Sequence, residues 1–253
     1  MTDKRNRDKN IGLIVLDIDG VVTEGESAPL DLDFLGTLAG MNQRARSDNN
    51  LPPVTLCTGR PAPYLELMLQ AIDSHLPGIF ENGAGLYFPE NYRFVAHPLV
   101  ANDGTIRAVR ELLEQGPIGD GKAYIQPGKI HTLTIFATDP EQTDQLKTWT
   151  ESALGDRAKD VDLVYSTSCL NILPPAIDKA KGIEFLSQET GYAPETMLGV
   201  GDSDVDIPFL QLVGHSAAPS NAVPAIKEIV DYVSTERTSR GVLDILEEYK
   251  LLP

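Results

Sequence analysis

Apolar positions follow two rhythms along this chain. At residues 11–16, 53–58 and 196–201 they form short unbroken runs, with briefer ones at 78–80, 216–218 and 231–233. Such runs fit strands buried on both faces of a parallel sheet. Between them lie amphipathic stretches with helix-start signals. Asp31 is placed to cap a helix to about residue 47, and Pro61 suits the first turn of another to about residue 75. Further helices are expected at 178–190, 206–212, from 222, and at 241–249. From residue 86 to 173 the rhythm changes. Aromatic, alternating pieces at 86–88, 93–95, 122–125, 129–137, 162–165 and 169–173 read as strands with one buried face, interrupted by helices at 102–115 and 140–154. Strands in pairs with two helices suggest an α+β module inserted into a βαβ chain. The expected organisation is a polar, flexible tail at 1–10, an α/β core of 11–83 and 174–253 with a doubly wound parallel sheet, and the inserted module at 84–173.

Composition narrows the function. The 253 residues carry 37 acidic and 21 basic side chains, a formal net charge of −16. That balance argues against nucleic-acid and anionic-membrane partners. No apolar run reaches the length of a membrane span, and no signal-type segment opens the chain. The two cysteines, Cys57 and Cys169, sit in strand-like surroundings and read as reduced, buried thiols, so a cytoplasmic location is expected.

The chemistry clusters at strand ends. The first run closes on Asp17-Ile-Asp19-Gly20, the second on Thr58-Gly59-Arg60, the third on Gly201-Asp202-Ser-Asp-Val-Asp206, and Lys179 opens a helix. In a doubly wound sheet these addresses meet in one crevice. Two carboxylates as close as Asp17 and Asp19 repel by about 4 kcal/mol at an effective dielectric near 20, and a divalent cation is the usual remedy. Two decoys fail. Asp202-x-Asp204-x-Asp206 resembles the start of a calcium loop, but Ile207-Pro208 stand where glycine is needed. Gly116 to Lys122 has P-loop spacing, but Ala123 replaces the metal-binding hydroxyl and a strand follows.

In the same order, these four segments resemble the four motifs of the haloacid dehalogenase-like (HAD) phosphohydrolase superfamily. The position and content of the insertion are similar to the type IIB cap of Cof-like sugar phosphatases and archaeal-type phosphoglycolate phosphatases. Glu81-Asn82-Gly83-Ala84 and Ser220-Asn221-Ala222 resemble that subfamily too. The resemblance implies an Mg²⁺-dependent phosphatase of a small phosphorylated metabolite, a sugar phosphate or 2-phosphoglycolate, acting as a monomer or homodimer. It implies Asp17 as nucleophile, Asp19 as general acid and base, Thr58 as a donor to the phosphoryl group, and Lys179, rather than nearby Lys181, as its counter-charge. Gly59, Arg60, Asn82 and Asn221 would bind phosphate or substrate. Mg²⁺ would be held by Asp17, the Asp19 carbonyl and Asp202, with Asp206 in support. Val205 stands where the subfamily usually carries asparagine. In the cap, Arg93, Lys122, Lys129 and His131 could reach a second anionic group, though each reads first as a surface residue. Two rival readings stay open: a phosphotransferase or phosphomutase using the same nucleophile, and a non-catalytic metabolite-binding protein.

Overall fold

Successive side chains of the first apolar run point to opposite faces of a sheet, and the whole molecule is layered on that alternation. The computed structural model describes residues 11–25, 27–165 and 168–252, so the tail expected at 1–10 lies outside the described residues. In chain order the elements are β1 (Leu13–Leu16), α1 (Leu32–Ala45), β2 (Val54–Leu56), α2 (Ala62–Ala71), β3 (Gly78–Phe80), β4 (Gly85–Phe88) and β5 (Arg93–Ala96). Then come α3 (Thr105–Gln115), β6 (Ala123–Ile125), β7 (Leu133–Ala137), α4 (Leu146–Leu154), β8 (Asp162–Tyr165) and β9 (Leu170–Leu173). The chain finishes with α5 (Lys179–Thr190), β10 (Met197–Val200), α6 (Ile207–Leu212), β11 (His215–Ala218), α7 (Pro224–Ile229), β12 (Tyr232–Val233) and α8 (Thr238–Glu248).

A parallel five-stranded sheet runs in the order β12-β11-β10-β1-β2. Ile14 and Leu16 pack with Phe34 and Leu38 of α1, Leu65 and Met68 of α2, and Val242 and Ile245 of α8. Leu13 and Val15 face the other way, onto Ile183 and Leu186 of α5, Phe209 of α6 and Ile226 of α7. Helices thus cover both faces, as a doubly wound parallel sheet requires. The neighbours of β1 are β2 on one side and β10 on the other. The chain order reverses there, so a crevice opens beyond the carboxyl ends of β1 and β10.

Beyond β2 the sheet is continued by β3: Cys57 pairs with Ile79, and the Thr58 amide donates to the Ile79 carbonyl at 2.9 Å. β4 and β5 then follow antiparallel. Leu86 and Tyr87, expected within the inserted module, pack into the apolar clusters of the core instead. A second sheet, antiparallel in the order β6-β7-β9-β8, buries Leu133, Ile135, Leu170 and Ile172 against α3 and α4. We place the module with its own apolar core between about residues 105 and 173.

Three expected elements end differently, each for a local reason. α2 stops at Ala71 because the chain turns at Asp73 (φ 48°). Arg46 grips that aspartate at 2.8 and 2.9 Å, and Asn42 donates to the Ile72 carbonyl at 2.8 Å. Residues 140–145 form a 3₁₀ turn capped by Asp139 before α4 begins. Residues 129–132 do not join β7, since the amides of Ile130, His131 and Thr132 all donate to the Glu81 carboxylate at 2.8–2.9 Å. Among the described residues, no helix is long and apolar enough to cross a membrane.

Candidate active site

Asp17 is the first residue past β1 and is 5% exposed. Lys179 opens α5, held in place because the Asp178 side chain caps the helix by accepting from the Lys181 amide at 2.8 Å. Its ammonium is 2.9 Å from Asp17 Oδ1 and donates to Asp206 Oδ1. Lys181 faces solvent and pairs with Glu184, whereas Lys179 is buried beside Asp17. Asp206 Oδ2 accepts from the amides of Asp202 and Ser203, both at 3.0 Å, and from Ser203 Oγ at 3.1 Å. Both oxygens of Asp206 are therefore taken up, and it braces the turn after β10 and the lysine together.

Asp202 sits two residues past β10. Its Oδ1 is buried with no hydrogen-bond partner, and its Oδ2 is 3.5 Å from Asn221 Nδ2. Carboxylate oxygens of Asp17, Asp202 and Asp206 lie within 4.8 Å of one another. Glycine at position 20 (φ +82°) permits this approach, because a Cβ there would be 2.1 Å from Asp202 Oδ2. Asn221 gives its amide hydrogens to the Gly20 carbonyl at 2.8 Å and accepts from the Thr238 amide at 3.0 Å. It ties the β1 turn to α8 as much as it faces the crevice.

Charge is unbalanced here. Burial, then repulsion by Asp206, pushes the Asp17 carboxyl well above its ordinary range, against the pull of Lys179. Burial and then Asp206 raise Asp202 to about 7. Burial opposes the charge on Lys179, yet Asp17 and Asp206 outweigh it and hold the ammonium above its usual value. Three carboxylates against one ammonium call for a further cation. The orphaned Asp202 Oδ1 beside Asp17 gives it hard oxygen donors, the kind magnesium takes. The residues fit that ion: Asp17 and Asp202 would hold it, with Asp206 in support.

Asp19 is held differently. Arg60 forks onto it through Nε and Nη2, both at 2.7 Å, and lies 4.8 Å above the Tyr64 ring. Thr58 is 1% exposed; its hydroxyl accepts from the Arg60 amide at 3.1 Å and lies behind the crevice surface. Gly59, Arg60 and Asn82 line the crevice itself. Asn82 takes a left-handed backbone (φ 56°) and leaves its Oδ1 buried and unpartnered.

The crevice encloses about 420 Å³ between the core and the inserted module. Val205 forms part of its wall, an apolar surface on the side of Asp202. Of the four cap residues considered from sequence, Lys129 alone lines it. Arg93 lies near Glu189 and Lys122 pairs with Asp120, both at the surface. Gln126, Thr134, Cys169, Asn171 and Arg237 line it as well. No sequence signal marked them, apart from the alternation that puts Thr134 and Asn171 on the face opposite Leu133 and Ile172.

The sequence model for the haloacid dehalogenase-like hydrolase family matches residues 102–246, more than half of the chain. The chain belongs to that family. Among curated relatives of this hydrolase, a phosphoglycolate phosphatase 1 of Saccharolobus solfataricus is 26% identical over 94% of this chain and 95% of its own. A phosphoglycolate phosphatase of Methanothermobacter thermautotrophicus is 23% identical over 93% and 97%. The HAD hydrolase also shares its fold with solved structures. A Thermoplasma acidophilum protein superposes with a TM-score of 0.75 at 19% identity, covering 95% of this chain and 99% of that one. A haloacid dehalogenase-like hydrolase from Bacteroides thetaiotaomicron gives 0.73 at 18%, over 93% and 98%. The core with its inserted α+β sheet places the hydrolase in subfamily IIB.

Proposed function

We propose that this HAD hydrolase is an Mg²⁺-dependent phosphatase of a small phosphorylated hydroxy acid of the 2-phosphoglycolate type, working through an aspartyl-phosphate. One observation carries the reading. At the floor of the crevice, Lys179 bridges Asp17 and Asp206 while the free oxygen of Asp202 lies alongside. The names of full-length relatives support the substrate class.

Asp17 attacks phosphorus through its second oxygen, Oδ1 being occupied by Lys179. The lysine both aims the nucleophile and offsets charge on the phosphoryl oxygens. Asp19 protonates the leaving alkoxide, then takes a proton from the water that releases phosphate. Arg60 holds Asp19 by two hydrogen bonds and so fixes where that proton is delivered. Thr58 fixes the turn that presents the Gly59 and Arg60 backbone to the phosphate, its hydroxyl oxygen accepting from the Arg60 amide and its hydroxyl hydrogen left to donate to the phosphoryl group. Asp17 and Asp202 would hold Mg²⁺, which supplies a positive charge beside the phosphoryl oxygens. The inserted sheet roofs the crevice and keeps bulk water from the acyl phosphate.

Phosphate release from 2-phosphoglycolate, with magnesium and with a chelator, tests this. Wild type is expected to turn over only with magnesium, and Asp17→Asn to lose at least about a thousandfold in kcat, as when a nucleophile that acts within a unit is removed. Equal turnover by the variant, or turnover unaffected by the chelator, overturns the proposal.

A further inference from the structure

We infer that Lys129, set in a pocket with Thr134 and Asn171, is the anion-binding subsite that receives the carboxylate of the substrate's non-phosphate end. This deepens the proposed function and rests on it. Lys129 comes from the β6–β7 loop of the inserted module and faces the same crevice as Asp17 and Lys179. It is 5% exposed, and an ammonium that deep is normally paired. Yet it makes no ion pair with any described residue. Its polar contact is a neutral one, donated to Thr134 Oγ1.

The obvious partner is already committed. Glu81 is close enough to favour the charge on Lys129. Its carboxylate, however, accepts the amides of Ile130, His131 and Thr132 and the Thr132 hydroxyl. The Thr134 hydroxyl passes its own hydrogen to Asn171 Oδ1 at 2.7 Å, which turns the Asn171 amide nitrogen away from Thr134. An ammonium with unused hydrogens and an amide with two more then converge on one wall of the crevice. Donors alone, without a carboxylate to satisfy them, make a receptor for a carboxylate. On the opposite wall Lys179 and the Gly59–Arg60 turn receive the phosphate. Separate donors for the two ends of the substrate would select a phosphorylated acid over a neutral alkyl or sugar phosphate.

The test compares 2-phosphoglycolate with ethyl phosphate, which matches it in length and lacks the carboxylate. In Lys129→Met the ratio of kcat/KM for the two esters is expected to fall at least about tenfold, the equivalent of ~1.4 kcal/mol of lost anion binding. The loss should appear mainly in KM, and Lys129→Arg should restore much of the ratio. Because an unpaired buried charge is removed, the Tm of substrate-free Lys129→Met should equal or exceed that of wild type; should it fail to fold, Lys129→Gln replaces it. A ratio that does not move, or equal losses on both esters, overturns the inference. If wild type hydrolyses neither ester, the proposed function fails by itself, and calorimetric titration with glycolate decides the subsite. Tighter binding by wild type than by Lys129→Met supports it, and equal binding overturns it.

Discussion

Gly20 has no side chain because Asp202 occupies the space where one would be. Both the backbone (φ +82°) and the 2.1 Å approach forbid a Cβ. Gly20→Ala should push the Asp202 carboxylate off its position, with a backbone cost on the order of 1–3 kcal/mol. Calorimetry should show magnesium affinity at least tenfold weaker, about what the loss of ~1.4 kcal/mol corresponds to; unchanged affinity would mean that Asp202 does not hold the ion. Residues of this kind were legible in the sequence. Asp17, Thr58 and Asp202 each follow a buried apolar run, and in a doubly wound sheet a strand end is an address. Lys129 was visible only as one of four cap residues that could reach a second anionic group, each read first as a surface residue. It lies in a polar loop, and only the fold reveals that the loop turns inward. Glu81 was visible as part of a motif, but its three amide partners lie about fifty residues away.

Among the elements, those buried on two faces were the easiest to read. β1, β2 and β10 appear as apolar runs because helices cover both sides of them. The one-face strands of the module were read in place as well, since Leu133, Ile135, Leu170 and Ile172 alternate with polar neighbours. Endings were harder, because they depend on distant groups: α2 stops where Asn42 of α1 and Arg46 just beyond it hold Ile72 and Asp73, the residues that follow its last turn. The loop before β7 is the clearest case. Glu81, 1% exposed, offers only acceptors to three amides. Glu81→Gln replaces one acceptor oxygen by an NH₂ that confronts those donors. The expected result is a loss of about 1–3 kcal/mol in stability, with faster amide exchange confined at first to Ile130, His131 and Thr132. Exchange left as slow as in wild type would mean that this carboxylate does not hold the module's loop.

Across the whole molecule, a net charge of −16 coexists with a crevice lined by Arg60, Lys129, Lys179 and Arg237. An anionic substrate meets local cations although the surface as a whole repels it. The buried acids also shape stability. Asp202 stands near 7 in the folded, metal-free chain, against about 3.9 when unfolded. Between those values the folded state binds a proton that the unfolded state has released, so stability falls as pH rises from about 4 to about 7. Asp17, raised for the same reason, acts in the same direction. Thermal melts of chelator-treated protein should therefore show Tm dropping over that window. Added magnesium should remove the drop, since it favours the ionised carboxylates; a Tm that rises with pH in the chelated protein would contradict this charge balance. The junction of the insertion has a further consequence. Val100, just before the module, packs with Ile177, just after it, and with Ala84 of the core, so the chain departs toward the module and returns from it side by side. A detour that begins and ends at one point can be lengthened, shortened or exchanged without moving Asp17, Lys179 or Asp202. The part that reads the substrate can then change over evolutionary time while the part that cleaves it stays as it is.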